Sequence, residues 1–432
     1  MIRHIFYKIK KRNFSKNLVL ISSRTIISQI LNIILLPVIT RIYLPSEYGV
    51  LTVFVAIISI LSVSSSLHYN NAIPIAKNNR NAINLVALSL IIVSLFSFSL
   101  LIISVFFGPK ILQSVDIRVL NNYIYFIPVA VFLIGVYSIF SQWAYRIRDY
   151  ILISKTSILQ SVMSNIVKIA LGLIKMGPIG LILGKIINDS AGLVSLSKPL
   201  YKDVRLIKLI NKKDIKIVAR RFINFPLYSA PSDLIFTVSM NLPVLFLTSL
   251  FDSSVGGLFG FANGIIGMPI GLISSSFAQV FYAEIAYIGK DNPLEIKRLS
   301  MSLLKKLALF GLAPFFIIAI LSPFIFSFFF GEKWAAAGSY VQILSVMYYF
   351  YFIVLPFGRI LEVLEKQRNG LYLNIVRVLI ILAVFAVAYY FKLNIYKTLL
   401  LFSLGSSLAY ILLIFVLFRS LNSQIKKGLT KK

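Results

Sequence analysis

Seven charged side chains lie within otherwise apolar stretches of the sequence. A charge in hydrocarbon is costly, so such residues commonly face a cavity, pair with one another, or line the path of a substrate or ion. Five of the seven are basic. Basic side chains in a cavity would attract an anionic headgroup such as a pyrophosphate, and the arginine fork matches phosphate oxygens especially well. The seven are Arg24, Lys155, Lys168, Lys185, Asp189, Asp233 and Arg377.

The positions of the basic residues divide them into two groups. Arg24 and Arg377 lie several residues inside their apolar stretches, which favours a polar cavity, whereas Lys155 is close enough to an end to reach the surface. For Lys168 both interpretations stay open. We therefore take Arg24, Lys168, Lys185 and Arg377 as the candidate contacts for an anionic substrate.

The two acidic residues are candidate sites for a coupling proton or cation. Asp189 lies four residues after Lys185, so a simple intrahelical ion pair is the alternative to a functional role. Asp233 follows Ser229 and Pro231, where a broken helix could expose backbone groups.

The elements that carry these residues must be membrane-spanning helices. The 432 residues are 58% hydrophobic and only 13% charged, with a mean hydropathy of +0.88. Such a chain has too little polar surface to cover a soluble globule. With about 20 apolar residues needed per span, the sequence predicts an all-α integral membrane protein with about twelve transmembrane helices.

The distribution of basic residues predicts the topology. Most of the 44 lysines and arginines fall in the N-terminal tail, the even-numbered loops and the C-terminal tail. Cytoplasmic loops carry the Lys/Arg excess, so both termini are expected in the cytoplasm. The net charge of +30 then reflects membrane topology, and no nucleic-acid partner is expected.

A long basic segment after the sixth span divides the chain into two predicted six-helix lobes. We expect an N-terminal lobe at 1–197, a basic cytoplasmic linker at 198–222, and a C-terminal lobe with a basic tail at 223–432. A weak repeat supports this division, because LPSEYGVLTVF at 44–54 aligns with FDSSVGGLFGF at 251–261. Each copy lies between the first and second span of its lobe, where a parallel repeat should place it.

Metal and nucleotide chemistry have little support in the sequence. The chain has no cysteine and two histidines, His4 and His68, which excludes a thiolate zinc site or a histidine-rich site. A Walker-type phosphate-binding run is also missing. We expect no cofactor and no metal.

Two stretches resemble the Wzx-like polysaccharide-biosynthesis flippases of the multidrug/oligosaccharidyl-lipid/polysaccharide (MOP, MATE-like) superfamily. The first is LLPVITRIYLPSEYGVLTVF at 35–54, and the second is FFFGEKWAAAGSYVQILSV at 328–346. The second contains the family's loop pattern as Phe330, Gly331, Glu332, Trp334 and Ala337. Both stretches lie at predicted outer helix junctions, which suggests a structural role.

The resemblance implies a two-lobed helical bundle that moves an undecaprenyl-pyrophosphate-linked oligosaccharide across the bacterial cytoplasmic membrane by alternating access. The glycan would be an O-antigen (lipopolysaccharide), capsule or related surface unit. Membrane lipids, H⁺ or Na⁺, and a glycan polymerase are the implied partners, and no enzymatic activity is expected.

Three other functions stay open. An ion-coupled multidrug exporter of the same superfamily is disfavoured by the predicted cationic lining. A membrane glycosyltransferase, polymerase or ligase commonly needs a large outer loop, whereas the longest predicted here is 108–119. A structural scaffold for glycan enzymes would leave the intramembrane charges unexplained.

Overall fold

The chain is all-helical, as the apolar runs predict. The computed structural model describes residues 27–114, 117–289, 292–358, 360–364 and 366–429. Within these ranges, 11 helices are long and apolar enough to cross a membrane, and a shorter apolar helix, Ile27–Ile42, lies in the predicted first span. Backbone groups have no water to bond in hydrocarbon, so a helix that satisfies them internally is the expected solution.

The helices are numbered in chain order. They are α1 (Ile27–Ile42), α2 (Pro45–Ser64), α3 (Asn79–Ser114), α4 (Phe126–Arg146), α5 (Tyr150–Leu173), α6 (Pro178–Ser190), α7 (Leu193–Lys202), α8 (Val204–Ile207), α9 (Lys212–Arg221), α10 (Ala230–Leu250), α11 (Ser253–Ile288), α12 (Pro293–Phe330), α13 (Ala335–Val354), α14 (Ile360–Val363), α15 (Gln367–Tyr390) and α16 (Ile395–Leu429).

Two boundaries differ from the sequence expectation. Helix α3 continues to Ser114, so much of the predicted outer loop at 108–119 is helical. The sixth span is broken, because α6 ends at Ser190 and α7 begins at Leu193 after Gly192, whose φ is +92°. The break expected near Ser229 and Pro231 is not formed, because a π-helical turn, Phe225–Ser229, continues directly into α10.

The described chain forms two compact units, one ending at Thr237 and the other beginning at Val238. The segment predicted as a linker, 198–222, is largely helical and packs within the first unit. Val218 on α9 is fully buried in a cluster with Ile73 and Leu85. The Asn84 amide donates to the Leu209 carbonyl oxygen at 3.0 Å, which ties α3 to this segment.

The weak repeat marks equivalent positions in the two units. Its first copy opens α2 and its second copy opens α11. The matched phenylalanines, Phe54 and Phe261, are both fully buried, and the matched leucines, Leu51 and Leu258, are buried as well. The repeated residues therefore serve packing at the start of corresponding helices.

The loop pattern at 330–337 forms a tight junction between α12 and α13. Gly331 has a φ of +93°, a conformation that favours glycine. Trp334 is 0% exposed, and its ring centroid lies 4.3 Å from that of Phe261. The Ser327 hydroxyl donates to Glu332 Oε1 at 2.7 Å. These residues hold the junction together, in agreement with the structural role inferred from their position.

Gly338 on α13 allows the backbone of α12 to approach closely. A Cβ at Gly338 would lie 2.5 Å from the Ser322 carbonyl oxygen and 2.6 Å from the Pro323 Cα, both backbone atoms. On α11, by contrast, a Cβ at Gly264, Gly267 or Gly271 would meet nothing within 4 Å. Helix α11 also continues without a break through Pro269.

We predict that Gly338→Ala destabilises the second unit. The added methyl group would force two backbones apart, and such overpacking costs about 1–3 kcal/mol. Thermal unfolding of the purified protein in detergent measures the effect, with Gly267→Ala as the control. Equal melting temperatures for Gly338→Ala and Gly267→Ala would contradict the proposed close contact.

Candidate functional site

The first unit contains a cavity lined mainly by hydroxyl and amide side chains. It has two adjoining parts, of about 600 Å³ and about 510 Å³, which share Ser59, Ser62, Ile134 and Ser138. Cavities of this size hold small ligands. We call the two parts together the serine-lined cavity. The first part is further lined by Ile58, Tyr137, Ser141, Tyr145, Ile153, Ser154, Ser157, Gln160, Asn188 and Asp189. The second part adds Val63, Ser65, Ser66, His68, Asn70, Asn71, Gly135, Asp233, Phe236 and Thr237.

Helical spacing places the hydroxyls on the cavity side of their helices. Ser59 and Ser62 are three residues apart on α2, as are Ser154 and Ser157 on α5. Residues three or four apart share one face of a helix. Short polar side chains at this spacing give an apolar helix one hydrophilic stripe, which here faces the cavity.

Two of the lining hydroxyls have no partner among the described residues. Ser62 Oγ and Ser141 Oγ are buried and make no hydrogen bond. Most buried hydroxyls in proteins are hydrogen-bonded, commonly to the helix itself. Both residues line the cavity, so their hydroxyls have unused hydrogen-bonding capacity close to this space.

A chain of amide hydrogen bonds stiffens the second part of the cavity. The Ser66 hydroxyl donates to Asn70 Oδ1 at 2.8 Å, and Asn70 Nδ2 donates to Ser138 Oγ at 2.8 Å. Gln142 Nε2 donates to Asn71 Oδ1 at 3.2 Å. Paired polar groups of this kind fix one arrangement of the wall.

Three of the predicted site residues form one cluster. Lys185 Nζ lies 2.9 Å from Asp189 Oδ1, so the i,i+4 ion pair considered from the sequence is formed. The Lys168 side chain packs against Gly184, close enough to Lys185 and Asp189 to interact with both charges. Of the three residues, only Asp189 is among the lining residues.

Asp233 lies at the far part of the cavity, beside a histidine that the charge analysis missed. His68 Nδ1 is 3.6 Å from Asp233 Oδ2 and 3.0 Å from Asn71 Nδ2. The Asp233 side chain is 59% exposed, whereas the histidine side chain is 10% exposed. His68 has a φ of +61°, which directs the chain sharply after α2.

Arg377 lies in the second unit, on α15. Its Nη2 donates to the Tyr410 hydroxyl at 2.9 Å, and its guanidinium lies 5.1 Å from the centre of the same ring. Nη2 is also 3.5 Å from Met240 Sδ. Arg377 Nε is buried and has no partner within the described chain. Arg24 lies outside the described residues, so the expected convergence of Arg24 and Arg377 on one cavity stays a prediction.

The lining differs in character from the cationic one that the charges suggested. The described residues of the serine-lined cavity include two carboxylates and no lysine or arginine. The sequence signal for this cavity was present, as serines at three-residue spacing within apolar spans. Serine carries no charge and is common in membrane helices, so a search for intramembrane charges does not detect this pattern.

The chain also matches a known protein family over most of its length. A family model described as polysaccharide biosynthesis protein matches residues 38–339. The chain belongs to this family. Among curated proteins, no significant sequence match was found.

Solved structures with the same fold are membrane transporters and flippases. The lipid II flippase MurJ in an inward closed conformation has a TM-score of 0.73 at 15% identity, over 95% of this chain and 91% of that chain. An inward-facing multidrug resistance MATE family transporter of the MOP superfamily has a TM-score of 0.72 at 16% identity, over 93% and 99%. A MOP superfamily transporter from Pyrococcus furiosus has a TM-score of 0.57 at 15% identity, over 94% and 95%. This member of the polysaccharide biosynthesis protein family is thus a multi-pass membrane protein with the MATE/MOP fold.

We predict that Asp189→Asn destabilises the first unit by leaving Lys185 and Lys168 without a counter-charge. The expected cost is about 1–2 kcal/mol, because the pair is partly buried. Adding Lys185→Met to Asp189→Asn should recover part of the loss, since no unpaired ammonium then remains on α6. Thermal unfolding in detergent gives the comparison. If the double variant is no more stable than Asp189→Asn alone, the ion pair does not stabilise α6.

Proposed function

We propose that this chain is a flippase that moves an undecaprenyl-pyrophosphate-linked oligosaccharide across the bacterial cytoplasmic membrane by alternating access. The observation that carries the proposal is the serine-lined cavity, a hydrophilic space built from apolar helices in a member of a polysaccharide biosynthesis family. Both termini would lie in the cytoplasm, and the glycan would be a surface unit such as O-antigen or capsule, passed on to a polymerase.

The chemistry of the cavity suits a sugar. Sugar hydroxyls both donate and accept hydrogen bonds, as do serine hydroxyls, and amides offer both functions at fixed positions. Ser62 Oγ and Ser141 Oγ have bonding capacity to spare. Tyr137 and Tyr145 add aromatic surface with a polar tip at the same wall. A glycan could therefore exchange its water for protein groups without leaving polar atoms unpaired.

The cationic residues would bind the pyrophosphate. Arg24, Lys168, Lys185 and Arg377 are the candidates in our proposal. Arg377 supports this role because Tyr410 orients its guanidinium while Nε has no partner of its own among the described residues. An arginine held in one orientation loses little entropy when it binds a phosphate oxygen. Lys168 and Lys185 would act on the headgroup from the first unit.

Asp189 and Asp233 are the candidate sites for a coupling ion. Asp189 is next to the last residue of α6, where the negative end of the helix dipole and free carbonyl groups favour a cation. Asp233 is exposed to the cavity and lies beside His68. His68 Nδ1 can accept from Asn71 when it is unprotonated or donate toward Asp233 when it is protonated, but not both. Proton binding here would therefore change which partner the ring holds.

The second candidate function is an ion-coupled multidrug exporter, because the serine-lined cavity contains carboxylates that could bind a cation. A cationic drug would be attracted to Asp189 and Asp233, and the described lining contains no basic residue to repel it. Drug susceptibility of a deletion strain separates the two functions. If the chain is a flippase, we expect the deletion strain to lose surface glycan and to keep its normal drug susceptibility.

We predict that Ser138→Leu reduces surface glycan, because the leucine fills the region shared by both parts of the cavity and removes the partner of Asn70. An effect of about tenfold corresponds to roughly 1.4 kcal/mol of lost binding. Surface glycan is quantified in cells that depend on this chain, at matched membrane levels of protein. Ser99→Leu is the control, since Ser99 is exposed on α3 and donates only to its own helix, at Phe96. Normal glycan with Ser138→Leu would remove the cavity from the transport path.

We predict that Asp233→Asn weakens the dependence of glycan export on the ion gradient, because the amide cannot bind a proton or balance a cation. Export is measured while external pH or sodium concentration is varied. Asp203→Asn provides the control, since Asp203 is an exposed residue in the basic segment outside the cavity. An unchanged response to both ions would exclude Asp233 as the coupling site.

A further inference from the structure

A second cavity, in the second unit, has a basic end and an apolar wall. It measures about 450 Å³ and lies between the first turns of α15 and the last turns of α16. Two of its described lining residues, Lys366 and Arg419, are basic, and none is acidic. The other lining residues are Asn369, Tyr372, Leu373, Val376, Val416, Ser420 and Ser423.

The basic end is held in place by hydrogen bonds between the two helices. Lys366 Nζ donates to the Ser420 carbonyl oxygen at 3.0 Å. Asn369 Nδ2 donates to the Ser420 hydroxyl at 3.1 Å. Ser420 itself is buried, whereas Arg419 beside it is exposed. The ammonium of Lys366 is thus held at one position, and the Arg419 side chain beside it is accessible to a ligand.

The cavity spans the start of the apolar segment of α15, where headgroups are expected to give way to hydrocarbon. The apolar segment of α15 begins at Tyr372, so Lys366 and Asn369 precede it while Leu373 and Val376 lie within it. Tyr372 is 63% exposed, and aromatic residues of this kind are enriched at the membrane interface. The basic residues also predict that this end of both helices faces the cytoplasm, where anionic lipids are concentrated.

We propose that this cavity binds an anionic phospholipid of the surrounding membrane. Its phosphate would lie between Lys366 and Arg419, and an acyl chain would lie along Leu373, Val376 and Val416. Basic pockets between membrane helices bind lipid headgroups in this way. The site is separate from the serine-lined cavity and does not depend on the transported substrate.

A phospholipid fits this cavity better than the glycan carrier does. The cavity offers one short basic end and three aliphatic side chains, with fewer hydroxyl groups than the serine-lined cavity to replace the water around an oligosaccharide. A phospholipid needs only the two features that are present, an anion-binding end and a path for one chain. It is also the most abundant phosphate-bearing amphiphile at this depth.

The test is native mass spectrometry of the full-length protein in detergent, titrated with phosphatidylglycerol or phosphatidylcholine. We expect the protein to retain phosphatidylglycerol and to bind phosphatidylcholine only weakly. Lys366→Gln with Arg419→Gln should weaken phosphatidylglycerol binding about thirtyfold, because each basic side chain near an anionic lipid contributes about fivefold. Lys392→Gln with Lys397→Gln is the matched control, since it removes two cations from the opposite ends of the same helices.

Further measurements separate the sources of phosphate. Arg419→Gln alone changes an exposed side chain and reports on the charge if the double variant does not fold. Inorganic phosphate should fail to displace the lipid, because the acyl chain contributes to binding. Three results would overturn the proposal: equal retention by the double variant and the control, equal binding of phosphatidylcholine, or displacement of phosphatidylglycerol by stoichiometric undecaprenyl pyrophosphate.

Discussion

The absence of water from the hydrocarbon core governs this structure, because every polar group there must find its partner within the protein. Many hydroxyls do so locally. Ser300 donates to the Ile296 carbonyl oxygen and Thr248 to that of Val244, each one turn earlier in its own helix. Five serine hydroxyls of the described residues are buried without a partner: Ser62 and Ser141, which lie at the wall of the serine-lined cavity, and Ser89, Ser97 and Ser164, which do not line it. The cavity is distinguished from ordinary packing by the number of hydroxyl and amide side chains that its wall brings together.

The same constraint explains where the charges lie. Lys185 pairs with Asp189, and Arg377 contacts Tyr410, so these charges are stabilised within their own units. The part of the first unit that holds a ligand-sized space is instead neutral or acidic. In the proposed function, the hydroxyls and amides would bind the glycan and the cationic residues would bind the pyrophosphate. Each group is suited to its task by elementary donor and acceptor chemistry.

The sequence predicted the helical membrane fold because long apolar runs have few other solutions in a bilayer. It also predicted the pairing of Lys185 with Asp189, since residues four apart share a helix face. The break after Ser190 was missed, because the positive φ of Gly192 cannot be read from composition. The cavity was missed for a different reason. Tertiary packing alone brings together Ser59 on α2, Ser138 on α4 and Ser154 on α5. Their spacing along the chain does not indicate that they line one cavity.

The proposed function requires that the serine-lined cavity contacts the glycan of a lipid-linked oligosaccharide. The most direct measurement places a photo-crosslinking benzoylphenylalanine at Tyr137, in the cavity wall, and irradiates membranes containing sugar-labelled carrier. A second protein carries the same group at Tyr125, which is exposed outside the cavity. We predict labelled protein for the Tyr137 variant and background labelling for the Tyr125 variant. Labelling at Tyr125 without labelling at Tyr137 would contradict it.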